Sequence, residues 1–181
     1  MHIDNEQAAN VLRDKRIAAV TLTGSERAGR SIAANAGDQL KKCVMELGGS
    51  DAFVVLEDAD LDKAVAGAIT SRFGNAGQTC IAAKRFVVVE QIADAFVQRF
   101  VEAASKLKLG DPNEETTTLA PMARADLRDE LHKQVLASIA KGAKPLLGCE
   151  PDASHAGYPA SILDSVVLGM PAYEEELFGP V

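Results

Sequence analysis

Cysteine and histidine are scarce in this chain, with three of each in 181 residues. Cys43, Cys80 and Cys149 are odd in number and far apart, so they offer no C-x-x-C metal or redox motif and suit a reducing compartment. His2, His132 and His155 are equally scattered, and no metal site is expected. Positive charge is short as well. The formal net charge of -7 means repulsion from nucleic acid and from an anionic membrane face, which leaves a small molecule as the expected partner. No run approaches the ~18 consecutive apolar residues of a membrane span. The opening Met1-His2-Ile3-Asp4-Asn5-Glu6 lacks the basic-then-apolar order of a signal peptide, so a cytoplasmic location is expected.

What is present is an ordinary globular composition, 47% hydrophobic and 25% charged, over about one domain's length. Residues 17–23 form a short apolar, partly β-branched run that stops at Gly24, as a buried parallel strand would. A helix should follow, with Ser25 as N-cap, Glu26 in the first turn and small residues from Ala28 to Ala36 facing a sheet. Residues 42–47 read as the next strand, closed by Gly48-Gly49, which completes a β-α-β unit.

A second unit begins with a strand over 52–56 and the acidic turn Glu57-Asp58-Ala59-Asp60. The next helix places Leu61, Ala64, Val65, Ala68 and Ile69 on one face. Gly74-Asn75-Ala76-Gly77-Gln78 breaks the pattern as a loop. A strand over 85–89 leads to a helix burying Ala93, Phe96, Val97, Phe100, Ala104 and Leu107, ended by Gly110-Asp111-Pro112. Leu127, Leu131, Val135 and Ile139 recur along a further helix that Gly142 stops, and 145–147 looks like a short strand. The stretch 149–159 is loop-like, with weaker strand signals at Ile162 and over 166–168. The expected class is α/β with parallel pairing.

A free cysteine is usually a small buried hydrophobe, and Cys43 and Cys149 fit that description. Cys43 alternates within an apolar strand, and Cys149 sits in a loop without a base nearby in sequence. Cys80 differs because it follows a flexible polar segment, Gly74 to Thr79, and is followed by the short residues Ala82 and Ala83. Backbone N–H groups of such a turn can activate a thiol and cradle an oxyanion. Glu46 ends an apolar strand before two glycines. It reads either as a solvated strand end or as a general base, half-buried where ligands of open α/β sheets collect. Gly24-Ser25-Glu26-Arg27-Ala28-Gly29 follows a strand and opens a helix, a context for phosphate binding, although it does not match G-x-G-x-x-G. Glu174-Glu175-Glu176 reads by itself as a solvated acidic face.

Taken in order, Thr23-Gly24-Ser25, Glu46-Leu47-Gly48-Gly49, Gly77-Gln78-Thr79-Cys80 and Glu176-Leu177-Phe178-Gly179-Pro180 resemble the NAD(P)-dependent aldehyde dehydrogenase family across essentially the whole chain. The resemblance implies a truncated parallel-sheet α/β fold. Residues 1–46 would be the end of a Rossmann-like cofactor domain, and 47–181 a catalytic domain incomplete at its C-terminal end. It implies Cys80 as nucleophile, Glu46 as base, Gly24 and Ser25 as pyrophosphate contacts, Leu47 beside the nicotinamide, and Glu176 and Phe178 at the nicotinamide ribose and ring.

Several segments resemble bacterial succinate-semialdehyde dehydrogenases in particular: Glu46-Leu47-Gly48-Gly49-Ser50-Asp51, Ala82-Ala83-Lys84-Arg85-Phe86, and the run from Pro121 to His132. Some of that group carry a second cysteine where this chain has Ala82, so a regulatory disulfide there is not expected. Family members are well over twice this length. The chain is therefore expected to be an internal fragment, opening in mid-domain, of a homo-oligomeric parent acting on a small aldehyde with NAD or NADP. The rival readings are a non-enzymatic fragment and a cofactor-free cysteine hydrolase.

Overall fold

A computed structural model describes residues 3–152 and 156–181 of the chain. Met1, His2 and residues 153–155, including His155 and part of the expected 149–159 loop, lie outside the described residues. The chain divides into two compact units, Met1–Gly49 and Ser50–Val181.

The first unit begins with α1 (Asn5–Arg13), an element that apolar periodicity does not announce. Its signal is polar. Asp4 accepts the Gln7 N–H at 2.7 Å, and the Gln7 side chain accepts the Asp4 N–H at 3.0 Å, so each end of this capping box satisfies the other. β1 (Ala19–Thr23) and β2 (Lys42–Glu46) pair in parallel around α2 (Glu26–Asp38), with Thr23 opposite Glu46. α2 packs on both strands, and α1 packs on α2.

Leu22 and Met45 are half-buried on the face that α2 covers, and the small side chains of that helix cover little else. Two expectations are corrected here. Cys43 is exposed rather than part of an apolar interior, because β2 has only one strand neighbour and a helix of short residues above it. Glu46 is exposed rather than half-buried, since the period-two alternation turns it away from Met45.

The second unit has its own parallel pair, β3 (Ala52–Val55) with β4 (Arg85–Val88). Between and after them run α3 (Leu61–Phe73) and α4 (Glu90–Ala104), which pack on each other. α3 is capped by Asp60, whose carboxylate accepts the Asp62 and Lys63 N–H groups, both at 3.2 Å. Every phenylalanine except Phe178 gathers in this core. Phe86 and Phe100 have ring centroids 5.0 Å apart, Phe96 and Phe100 5.7 Å, Phe53 and Phe86 5.4 Å, and Phe73 and Phe100 6.0 Å. α4 stops at Ala104, earlier than the Gly110 boundary expected, and Leu107 and Leu109 reach the same core from the turns beyond it.

A second apolar cluster forms where α5 (Ala125–Ala140) contributes Leu131 and Val135 to Met122, Tyr158, Leu177 and Val181. β5 (Lys144–Leu147) and β6 (Ile162–Asp164) pair antiparallel, which departs from the expected parallel pairing. The chain turns back after β5 through Gly148 and Cys149, both at positive φ, and among the described residues of the connection there is no helix to make a parallel crossover. Residues 166–168 are a turn and not a strand, with the Met170 N–H returning to the Val167 carbonyl at 3.2 Å. A short α6 (Pro171–Glu174) then leads to the terminal segment. No helix among the described residues is long and apolar enough to cross a membrane.

Phe96 is 1% exposed at the centre of the aromatic cluster. Phe96→Ala is expected to destabilise the second unit by about 3–5 kcal/mol through lost transfer energy and an unfilled cavity. Urea unfolding followed by hydrogen exchange checks this, with amide protection falling in α3 and α4 and not in α2.

Candidate active site

In the first unit, the residues singled out in sequence meet at the C-terminal ends of the two strands. The Gly24 N–H donates to the Glu46 carbonyl at 3.0 Å, so the glycine-hydroxyl turn and the candidate base are neighbours. Ser25 caps α2, its hydroxyl accepting the Ala28 N–H at 3.3 Å. Gly29 gives Leu47 its seat. A Cβ on Gly29 would lie 2.7 Å from Leu47 Cδ2, so only glycine lets the strand end fold this closely onto the helix. Glu26, in the first turn, pairs with Arg30 at 3.3 Å. A helix N-terminus placed just beyond a parallel strand fits a phosphate, with the peptide dipoles aimed at it.

Cys80, Glu176 and Phe178 belong to the second unit. Cys80 is exposed and follows a tight turn, Gly74–Gly77, in which Asn75, Ala76 and Gly77 have φ of 53°, 52° and 69°. That left-handed path is held from several sides. The Asn75 side chain donates to the Gln78 carbonyl at 3.0 Å, and the Gln78 side chain returns a bond to the Asn75 carbonyl at 3.2 Å. The Gln78 amide oxygen also accepts the Ala123 N–H at 3.0 Å. Gly77 lies so close to the terminal segment that a Cβ there would be 2.1 Å from the Gly179 carbonyl oxygen.

Beneath this turn lie two buried cations. Arg72, 1% exposed, donates from Nη2 to the Gly77 carbonyl at 2.6 Å, and burial pushes its pKa down to about 10 against the pull of the Glu176 charge. Lys84 donates to the carbonyls of Thr79, Cys80 and Ala82 at 3.2, 2.9 and 3.3 Å, and its ammonium lies 3.1 Å from Glu176 Oε1. The acidic run therefore divides. Glu174 and Glu175 are exposed, whereas Glu176 turns inward to Lys84. Phe178 remains at the surface, and Cys149 is buried, its thiol pushed up by desolvation.

Sequence reading did not find Arg72, Lys84 or Ser71, whose hydroxyl accepts the Ala83 N–H at 3.0 Å. A lysine or arginine carries no mark of burial in sequence. The available signal is that Lys84 sits between buried Ala83 and the first residue of β4, where a solvated side chain has little room.

The chain belongs to the aldehyde dehydrogenase family, whose sequence profile matches residues 3–181. It is 55% identical over 182 residues to the succinate semialdehyde dehydrogenase (NAD(P)+) of Escherichia coli, covering 100% of this chain and 39% of that relative. It is 49% identical over 180 residues to the succinate-semialdehyde dehydrogenase (NADP(+)) of Mycolicibacterium paratuberculosis, covering 99% and 38%. The crystal structure of succinic semialdehyde dehydrogenase from Streptococcus pyogenes in complex with NADP+ superposes with a TM-score of 0.93 at 40% identity, over 99% of this chain and 40% of that one. The chain thus spans about two fifths of the length of the relatives it matches.

Exposure and sequence context together predict the order of thiol alkylation in the folded chain as Cys80, then Cys43, with Cys149 labelled last. Limited iodoacetamide treatment and peptide mapping read this order. Early labelling of Cys149 without denaturant would refute it.

Proposed function

We propose that the chain carries the thiol and the base of a succinate-semialdehyde dehydrogenase that uses NAD or NADP. The observation that carries this reading is 55% identity to such an enzyme along the entire chain. Residues 1–46 supply the end of a Rossmann-like cofactor domain, and 47–181 supply catalytic-domain elements. Gly24 and Ser25, at the N-terminus of α2, hold the pyrophosphate. Leu47 lies beside the nicotinamide, and Glu176 and Phe178 contact its ribose and ring. The bound dinucleotide supplies the hydride acceptor. Three unpaired cysteines and a net charge of -7 suit a cytoplasmic enzyme with a small aldehyde substrate, and the full-length parent is a homo-oligomer.

The chemistry assigned to the chain's own side chains has two stages. The Cys80 thiolate adds to the aldehyde carbon, and backbone N–H groups of its turn stabilise the resulting oxyanion. Departure of hydride leaves a thioester on Cys80. Glu46 then takes a proton from water, the hydroxide adds to the thioester carbonyl, and the Cys80 thiolate leaves as the carboxylate product forms. The alternative is a fragment that keeps these residues without turning over.

Grafting this chain in place of the matching segment of the Escherichia coli enzyme tests the reading. The graft is expected to oxidise succinate semialdehyde. Cys80→Ala should abolish activity, and Glu46→Gln should leave a burst of reduced cofactor followed by hydrolysis slowed about 10²- to 10⁴-fold. A steady-state rate unchanged by Glu46→Gln would remove that residue from the mechanism.

The 181-residue chain assayed alone is expected to be inactive. It spans about two fifths of the relatives' length, and the family resemblance implies an oxyanion hole completed by an asparagine that this segment does not supply. One missing donor costs about 10²- to 10³-fold. Nicotinamide absorbance with succinate semialdehyde measures this, and turnover of roughly 1 to 10³ per second would overturn it.

A further inference from the structure

Lys84 is used by none of the steps above, yet it is the most constrained cation in the second unit. Its side chain is 1% exposed, and an ammonium so far from water survives only if its protons and its charge are both matched. The protons go to the carbonyls of Thr79, Cys80 and Ala82, which wrap around it on three sides. The charge is matched by Glu176, whose Oε1 lies 3.1 Å away and is itself buried, although 23% of that side chain is exposed.

We propose that Lys84 is a positioning residue that couples the peptide of Cys80 to the Glu176 carboxylate, so that a change at Glu176 is felt at the candidate nucleophile. This rests on the functional reading above for the roles of Cys80 and Glu176. The physical reason is that the three ammonium protons go to the three carbonyls, while Glu176 Oε1, 3.1 Å from Nζ and without a hydrogen bond, holds the ammonium by charge. Removing that charge lets it shift against the carbonyls. Arg72 is the other charged group facing Glu176, and it holds the Gly77 carbonyl, just before this segment. Arg72 holds Gly77 and not Cys80, whereas Lys84 bonds the Cys80 carbonyl itself and lies 3.1 Å from Glu176, so Lys84 is the direct route between the two.

The test uses the 19.1 kDa chain labelled with 13C and 15N, reading the carbonyl 13C shifts of Thr79, Cys80 and Ala82. Losing a bond from an ammonium moves a carbonyl resonance upfield. Lys84→Met is expected to move all three upfield, and Glu176→Gln, which keeps shape and removes charge, is expected to move the same three. The double variant should match Lys84→Met alone at these three carbonyls, because Lys84 is the side chain that donates to them. Unchanged carbonyl shifts in Glu176→Gln, or shifts that simply add in the double variant, would overturn the coupling. If Lys84→Met fails to fold, Glu176→Gln alone still decides it. Alkylation of Cys80 relative to the exposed Cys43 is measured on the same samples. Moving carbonyl shifts with Cys80 no faster than Cys43 would count against the functional reading and leave the coupling intact.

Discussion

The second unit depends on two backbones approaching each other without a side chain between them. Gly77 and Gly179 come so close that a Cβ on the first would collide with the carbonyl of the second, and one on Gly179 would collide with Leu131. This contact joins the two apolar clusters, because Ala76 belongs to the one built on the phenylalanines and Leu177 and Val181 belong to the other. It also explains why the turn tolerates strain. A left-handed alanine costs about 1–2 kcal/mol relative to its preferred conformation. Ala76 nevertheless adopts it, held by the Arg72 bond to Gly77, the mutual Asn75 and Gln78 bonds, and its own burial.

The charges beneath the turn follow from the same geometry. The left-handed path of Asn75, Ala76 and Gly77 and the turn after it leave several carbonyls without a strand partner. Arg72 and Lys84 satisfy them as donors, and Glu176 limits the resulting excess of positive charge. Such a cluster is a poor source of stability, since desolvation offsets most of the attraction. Its effect is to fix one conformation of the turn. Removing Lys84 or Glu176 leaves the other without its nearest counter-charge, and removing Arg72 frees the Gly77 carbonyl, so each member helps to hold the turn.

What was legible in the sequence was periodic or punctuated. Gly24 and Ser25 marked the end of β1 and the start of α2, and the four-residue recurrence of Leu127, Leu131, Val135 and Ile139 located α5, because burial of one helical face is a local repeat. The family motifs singled out Cys80 and Glu46 by type and order. What was not legible depended on neighbours distant in the chain. The exposure of Cys43 follows from how little α2 covers, and that of Glu46 from which face it covers. The inward turn of Glu176 depends on a lysine far earlier in the chain. The antiparallel β5 and β6 look like any short apolar strands until their connection is seen. Helix α1 escaped notice because its strongest signal, the exchange between Asp4 and Gln7, is polar.

The two kinds of legibility bear differently on rate. The candidate base and the candidate pyrophosphate turn lie in the Met1–Gly49 unit, and the candidate thiol in the Ser50–Val181 unit. Motifs can assign each role separately, because each depends on a short stretch of chain. Catalysis depends on holding the groups within a fraction of an ångström, and a misplacement of about 1 Å can cost 10²-fold. Within the second unit that precision has a visible source in the glycine contact and the buried cations. The first unit is built from a two-stranded sheet and short helices, with Leu12 and Ala36 its buried apolar side chains.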